Sequence, residues 1–350
     1  MSEPNPTSVV HIGPDPSQIG GMATVLRVYQ TFPWTRIECS VIPSISSGSF
    51  LRSLLVMLSA IRSLAAIPRQ SRSIAHVHLS HKGSFLREGA VILGARRLGF
   101  NVVTTLHGSG FETTSRKRPW RGVYRFVFQR TQAVAVLNEK VKRIIEDELR
   151  VTTPVMIVPN PGPIGRVPAD LVSAGSTRPV VIFAGAIGRR KGVDTLIAAW
   201  PDVRHAVPDA ELVVLGPVQE EDLIAGLTLP GIRYLGPQDS ASVALHIGAA
   251  RVATLPSRGE GMPMFLLEAM ALARPIVVTD VGAMAQLAEG AGTVVPLHAP
   301  NALSAALIAY LLDPAAADRD GDHGRQRYVS MFSPKTIEDR LVQFYDSARG

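Results

Sequence analysis

The sequence predicts an α/β protein made of two doubly wound, Rossmann-like parallel-sheet domains facing a cleft. Three observations carry this. The chain has 350 residues, enough for two domains of ordinary size. Short, continuous, β-branched apolar runs alternate with helix-length amphipathic stretches from end to end. That is the pattern of parallel strands covered on both faces and joined by right-handed βα crossovers. Between the halves, Pro159-Asn160-Pro161-Gly162-Pro163-Ile164-Gly165 leads into a polar stretch up to Pro179, and its proline and glycine density marks a boundary.

The strands expected in the first domain, residues 1–165, are Val9–Ile12, Ile37–Ile42, Ile74–Leu79, Val102–Leu106, Ala133–Leu137 and Val155–Val158. Those expected in the second, residues 166–333, are Val180–Ala184, Glu211–Leu215, Ile232–Leu235, Arg251–Leu255, Ile276–Thr279 and Thr293–Val295. A last helix, residues 334–350, follows after the second sheet is complete. No internal repeat or low-complexity segment interrupts the series.

Composition excludes several classes. Apolar residues make up 46% of the chain, enough for real cores, yet no run of 18 apolar residues exists to span a membrane. The single cysteine, Cys39, excludes an intramolecular disulfide framework and fits a reducing compartment. Met1 to Ser8 is polar and proline-rich, without the charge and apolar core of a secretory signal. The net charge of +7 is uneven: residues 1–165 carry +11 and residues 166–350 carry −4. A basic first half suggests an anionic partner, and no motif of a dedicated nucleic-acid module is present.

The chemistry concentrates late in the chain. Pro256-Ser257-Arg258-Gly259-Glu260-Gly261-Met262-Pro263 follows a strand, and Glu268-Ala269-Met270 comes at once after it. This reads as strand, turn, helix, strand. Glu260 is expected at the carboxyl end of a parallel strand and Glu268 two helical turns later on nearly the same face, at the edge where open α/β sheets bind ligands. Earlier, Phe183-Ala184-Gly185-Ala186-Ile187-Gly188-Arg189-Arg190-Lys191-Gly192 leaves a strand and enters a helix near Val193. Its glycines permit close backbone approach, and Lys191 offers a point charge to phosphate. Gly20-Gly21, after the first strand, open a helix whose amides suit an anion. No GxGxxG follows that strand, which argues against a nicotinamide dehydrogenase. His107-Gly108 ends another strand. His76, His78 and His81 form a tempting metal set, but no carboxylate or cysteine stands near in sequence to complete it.

Taken together with Val158-Pro159-Asn160, these strings resemble the donor-site signature of retaining glycosyltransferases of family 4, which have the GT-B fold. The resemblance runs in order along nearly the whole chain, and extends to the bacterial polysaccharide-assembly enzymes. It implies that the first domain binds the acceptor, the second binds a nucleoside diphosphate sugar, and the terminal helix crosses back to the first domain. It implies that Gly20 and Gly21 lie over the donor phosphates and that His107 faces the donor sugar. Lys191 contacts the diphosphate, Glu260 holds sugar hydroxyls, and backbone amides of Gly261, Met262, Pro263 and Met264 line sugar and phosphate (Pro263 has no N–H and contributes only its shape). Glu268 accepts bonds from the ribose hydroxyls. Ala186 departs from the family at a usual arginine position, so either Arg189 or Arg190 reaches in instead or the leaving group is less strongly stabilised. No cofactor and no obligatory metal are implied; the nucleotide sugar is a substrate.

The first domain also carries two basic, apolar stretches. On Phe50 to Ile67, Arg52, Ser59, Arg62 and Ser63 fall on one side of a helix and leucines on the rest. In the second, Arg116, Lys117, Arg118, Trp120 and Arg121 interleave cations with an aromatic residue. Both suit the boundary between water and an anionic membrane. The expected acceptor is a saccharide or polyprenyl-linked saccharide, the expected location the cytoplasm and the inner membrane face. Two rivals stay open: a nucleotide-sugar-binding partner protein without transfer, kept alive by Ala186, and a GT-B sugar-nucleotide epimerase.

Overall fold

A computed structural model describes residues 7–18, 20–45, 50–68, 74–80, 82–162 and 178–349. His81 and the expected 165/166 boundary lie outside the described residues, and of residues 50–52 and 334 only the backbone is described, so the expected surface role of the Arg52 side chain lies outside them too. The chain divides into two compact units, Met1–Pro161 with Pro334–Gly350, and Gly162–Ser333.

Each unit holds a six-stranded, wholly parallel sheet. In the first the strands are β1 (Thr7–Pro14), β2 (Ile37–Ile45), β3 (Ile74–Leu79), β4 (Asn101–Leu106), β5 (Ala133–Val136) and β6 (Val155–Ile157). In the second they are β7 (Val180–Ala184), β8 (Glu211–Leu215), β9 (Ile232–Tyr234), β10 (Val252–Leu255), β11 (Ile276–Thr279) and β12 (Gly292–Val295). All twelve expected strands form, most within a residue or two of their expected ends. Side chains of β3, β5, β10 and β11 are buried throughout, which is why these strands are largely apolar on both faces instead of alternating with charged residues; β3 departs from this with the buried His76 and His78.

The order in the first sheet is β2-β1-β3-β4-β5-β6, and the direction of winding reverses between β1 and β3. The second runs β12-β11-β10-β7-β8-β9 and reverses between β7 and β10. In doubly wound sheets the loops at the carboxyl ends of the strands flanking such a reversal splay apart and leave room for a ligand.

The helix Pro334–Ser347 belongs to the first unit. Its Glu338 carboxylate accepts from the backbone N–H groups of Thr35 and Arg36, both at 2.6 Å, and from the Thr35 hydroxyl at 2.8 Å. Ile337, Leu341, Phe344 and Tyr345 are fully buried on one stripe of this helix, with Glu338 buried at its flank.

Candidate active site

In the second unit, the loops after β7 and β10 carry most of the residues singled out from the sequence. After β7 the chain makes a single 3-10 turn at Arg189–Lys191 and enters the helix Val193–Ala206. Gly192, between them, has φ 74°, and a Cβ there would stand 1.9 Å from the Pro256 carbonyl oxygen. The two loops therefore meet backbone to backbone, and only glycine fits the contact. After β10, Pro256–Pro263 runs to the helix Met264–Ala271. This loop is tied down along its length. The Arg258 N–H donates to Arg190 O at 2.9 Å, the Arg258 guanidinium pairs with Asp194 at 2.5 Å, and the Thr279 hydroxyl donates to Ser257 O. At its far end, Ala283 N–H donates to Gly261 O at 2.9 Å.

These ties bring Lys191 Nζ to 2.6 Å from Glu260 Oε1. The same oxygen accepts from Ser257 Oγ at 3.0 Å and lies 3.4 Å from Arg190 Nη1. The Arg190 guanidinium also donates to Gly259 O at 3.0 Å. Glu260 and Lys191 are only 10% and 15% exposed, so their attraction is less screened than that of a surface pair. Arg189 turns the other way: its guanidinium pairs with Glu220 and Asp222, and its N–H donates to Glu220 at 2.9 Å. Of the two arginines that could stand in at Ala186, Arg190 alone is turned toward Glu260.

Glu268 sits in the helix Met264–Ala271, where burial pushes its carboxyl up to about 7. The helix starts at Met264, so Glu260 lies in the loop after β10 and Glu268 lies within the helix. Proline at 263 sets an extended entry that ends the loop first. Met262, Pro263 and Met264 are buried and Gly261 half-buried.

The first unit holds the remaining residues. Gly20 caps the helix Gly21–Thr31, and a Cβ on either Gly20 or Gly21 would meet nothing within 4 Å, so open space surrounds both. His107 follows β4, its N–H held by Leu79 O at 2.8 Å. Its Nε2 lies 2.8 Å from His78 Nδ1, and His78 Nε2 lies 2.9 Å from His11 Nδ1. His11 Nε2 in turn lies 3.6 Å from Cys39 Sγ. Register sets His11 beside His76 on neighbouring strands, and His76 and His78 stack at 4.5 Å because alternate residues share a face. His76 bonds the Tyr345 hydroxyl at 2.9 Å and the Thr105 hydroxyl at 2.6 Å.

The nearest approach to a metal cluster among the described residues is His11, His76 and His78, with ligand atoms within 4.8 Å of one another. Every ring nitrogen of the three already faces a partner: His11 and His78 face each other, His11 also faces Cys39, His78 also faces His107, and His76 bonds Tyr345 and Thr105. An imidazole binds a metal through a ring-nitrogen lone pair, and here those nitrogens are engaged with one another and with side chains instead of a common ion.

Sequence reasoning missed Ser257, His11 and Glu88. Glu88 is wholly buried, with Ser44, Ser84 and Arg87 bonded to its carboxyl, and burial raises its pKa. His11 reaches His76 and His78 only through the pairing of β1 with β3, and Glu88 reaches Ser44 only through the fold, neither of which has a local sequence signal; Ser257 bonds Glu260 three residues on, within its own loop.

On the basic surface, Arg62 is exposed beside Leu55 and Leu58, which are 61% and 46% exposed. Lys117 and Arg118 are exposed, whereas Arg116 pairs with Glu148 at 3.5 Å and Arg121 donates to the Glu148 carbonyl. Trp120 is half-buried against Tyr124 and the core instead of standing free as an anchor. Among the described residues, no helix is long and apolar enough to cross a membrane.

Residues 29–162 match the sequence model for Glycosyltransferase Family 4, and residues 178–313 match that for Glycosyl transferases group 1. The chain belongs to glycosyltransferase family 4. Among its family relatives, glycogen synthase of Mycobacterium tuberculosis is 30% identical over 48% of this chain and 42% of its own length. Phosphatidyl-myo-inositol mannosyltransferase of Mycolicibacterium smegmatis is 31% identical over 49% and 45%. The matches thus span less than half of either relative. The GT-B fold is shared with sucrose-phosphate synthase of Thermosynechococcus elongatus, at TM-score 0.74, 19% identity and 97% and 98% coverage. It is shared equally with HepE of Anabaena, solved with UDP and glucose, at TM-score 0.73, 13% identity and 97% and 100% coverage.

Proposed function

We propose that this chain is a retaining glycosyltransferase that moves a hexose from a nucleoside diphosphate sugar to a saccharide or lipid-linked saccharide in cell-surface polysaccharide assembly. The observation that carries the reading is the Lys191–Glu260 pair at the β7/β10 reversal. A diphosphate draws the ammonium and the Arg190 guanidinium, and hydroxyls of the sugar take the carboxylate thus released. Each charge exchanges one partner for another, so opening the pair leaves no ion bare. The two cations then stabilise the diphosphate as it leaves, without an obligatory metal. Glu260 recognises hydroxyls and does not act as the nucleophile: once Lys191 turns to the diphosphate, the carboxylate is held by Ser257 and the sugar. The relatives named as mannosyltransferases, and HepE with UDP and glucose, support this assignment of substrate class.

Glu268 supplies the test. A ribose donates its hydroxyls to a carboxylate, so binding favours the ionised form of a group that titrates near pH 7 in the free site. Binding of the preferred member of a UDP-, GDP-, ADP- and TDP-sugar panel should tighten as pH rises from 6 to 8 and release a proton, measured by calorimetry in buffers of different ionisation enthalpy. Glu268→Ala should lose the site. If no donor binds, or if binding is flat across this range, the nucleotide role of Glu268 is wrong.

The exposed leucines and Arg62 of the helix Phe50–Ala66 are proposed to rest on an anionic membrane at the cytoplasmic face, bringing the acceptor within reach. Co-sedimentation with anionic vesicles at low salt should exceed that with neutral ones, and Leu55→Glu should abolish the difference. Equal binding to both vesicle types removes the membrane from the account.

A further inference from the structure

The described structure aligns Cys39, His11, His78 and His107 through three successive contacts of 3.6, 2.9 and 2.8 Å. A neutral imidazole has one N–H and one bare nitrogen, so each ring that donates on one side must accept on the other. Only two polarities satisfy every link. In one, the thiol donates inward and each histidine carries its proton on Nδ1. In the other, each carries it on Nε2, and the sulfur must accept.

We propose that the Cys39 thiol and His78 hold His107 in its Nδ1–H form, making His107 a hydrogen-bond donor at the edge of β4 and not a general base. The sulfur is the weakest acceptor in the series and a protonated donor, since burial pushes its thiol up to about 12. It therefore selects the first polarity, and each hydrogen bond in the chain polarises the next. The rings stay neutral throughout, because burial lowers all of them. The groups that face this chain are Tyr29, stacked on His11, His76, tilted against His11 and stacked on His78, and Glu338, whose charge raises the Cys39 thiol further; His76 is fixed in turn by Tyr345 and Thr105. Among the described residues, no carboxylate is bonded to His11 or His78 to draw a second proton onto them. The stack is neutral, and only hydrogen bonding orders it.

This deepens the proposed function, on which it rests for the ligand: whatever atom of the sugar faces His107 Nδ1 is an acceptor, a hydroxyl oxygen or a phosphate oxygen. Cys39, His11 and His78 are positioning residues, since they act through His107.

The experiment is long-range nitrogen–proton correlation on histidine-labelled full-length protein without any donor, with His107 assigned from a His107→Gln spectrum. His107 should show a protonated Nδ1 and a bare Nε2. His78→Asn, whose amide takes the place of Nδ1, should preserve that signature. His78→Gln, whose amide takes the place of Nε2, should abolish it and weaken donor binding about tenfold, the loss of one hydrogen bond. Cys39→Ala, a milder change that serves if His78→Gln does not fold, should give mixed tautomers at His107. An Nε2–H form in the unaltered protein overturns the proposal, and so does an unchanged His107 in both His78→Gln and Cys39→Ala. Donor turnover that is absent while the tautomers behave as expected counts against the transferase reading and leaves the chain intact.

Discussion

Acidification from pH 7 to pH 5 should lower the thermal transition of the first unit by about 10–20 °C while sparing the second. His11, His76 and His78 have no exposed surface, and burial depresses all three; His11 is lowered to about 3. The unfolded chain takes up their protons below about pH 6.5. The folded pKa lies below the unfolded one, so the full stability is present above about pH 6.5 and is lost as pH falls toward 3. At pH 5 each ring that stays neutral costs about 2 kcal/mol, and the three together about 6 kcal/mol, a large share of a domain's usual stability. His107, lowered to about 4 and less enclosed, adds a smaller amount. Glu268 has the opposite sign: raised to about 7, it favours the folded second unit at lower pH and withdraws that support as pH rises from about 4.5 to 7. Calorimetry with hydrogen exchange read at β1 and β3 separates the two transitions. A first-unit shift no larger than one histidine supplies, about 2 kcal/mol, would mean that the stack opens and hydrates before the unit unfolds.

Lys191→Ala should lower kcat by about 10²- to 10³-fold, the usual loss when a preorganised group facing developing charge is removed. Arg190→Ala should cost less, because its guanidinium reaches Glu260 only at 3.4 Å and is half exposed. Arg189→Ala should change kcat by less than about threefold, because that side chain is committed to Glu220 and Asp222 on the surface. The ordering of the three variants decides more than any single value. Initial rates at saturating donor measure it, and an Arg189 variant as damaged as the Lys191 variant would mean that the loop rearranges when the donor binds.

The fold was legible because twelve strands each announce themselves locally, through β-branched runs such as Val180–Ala184 and Ile276–Thr279. The donor loops were legible for the same reason: Arg189 to Gly192 and Glu260 to Met264 are contiguous strings, and a string survives in one dimension. What stayed hidden depends on pairing. Nothing near His11 says that β1 lies beside β3, and His76 and His78 look like half of a metal site until the register shows their rings stacked. The choice between Arg189 and Arg190 was equally out of reach. It depends on Glu220 and Asp222, some thirty residues on, whose carboxylates claim the first arginine and leave the second for Glu260.

The helix Pro334–Ser347 has a consequence for how the protein is made. The first unit needs Tyr345 against His76 and Glu338 against the backbone of Thr35 and Arg36, so a nascent chain emerging from the ribosome holds β1 to β6 without their closing piece. The second unit, continuous from Gly162 to Ser333, has all its residues before that piece exists. The half translated first is therefore the half completed last. Throughout that interval its sheet awaits the side chains that seal the histidine stack, which makes it the segment for which a holding chaperone would have the longest opportunity.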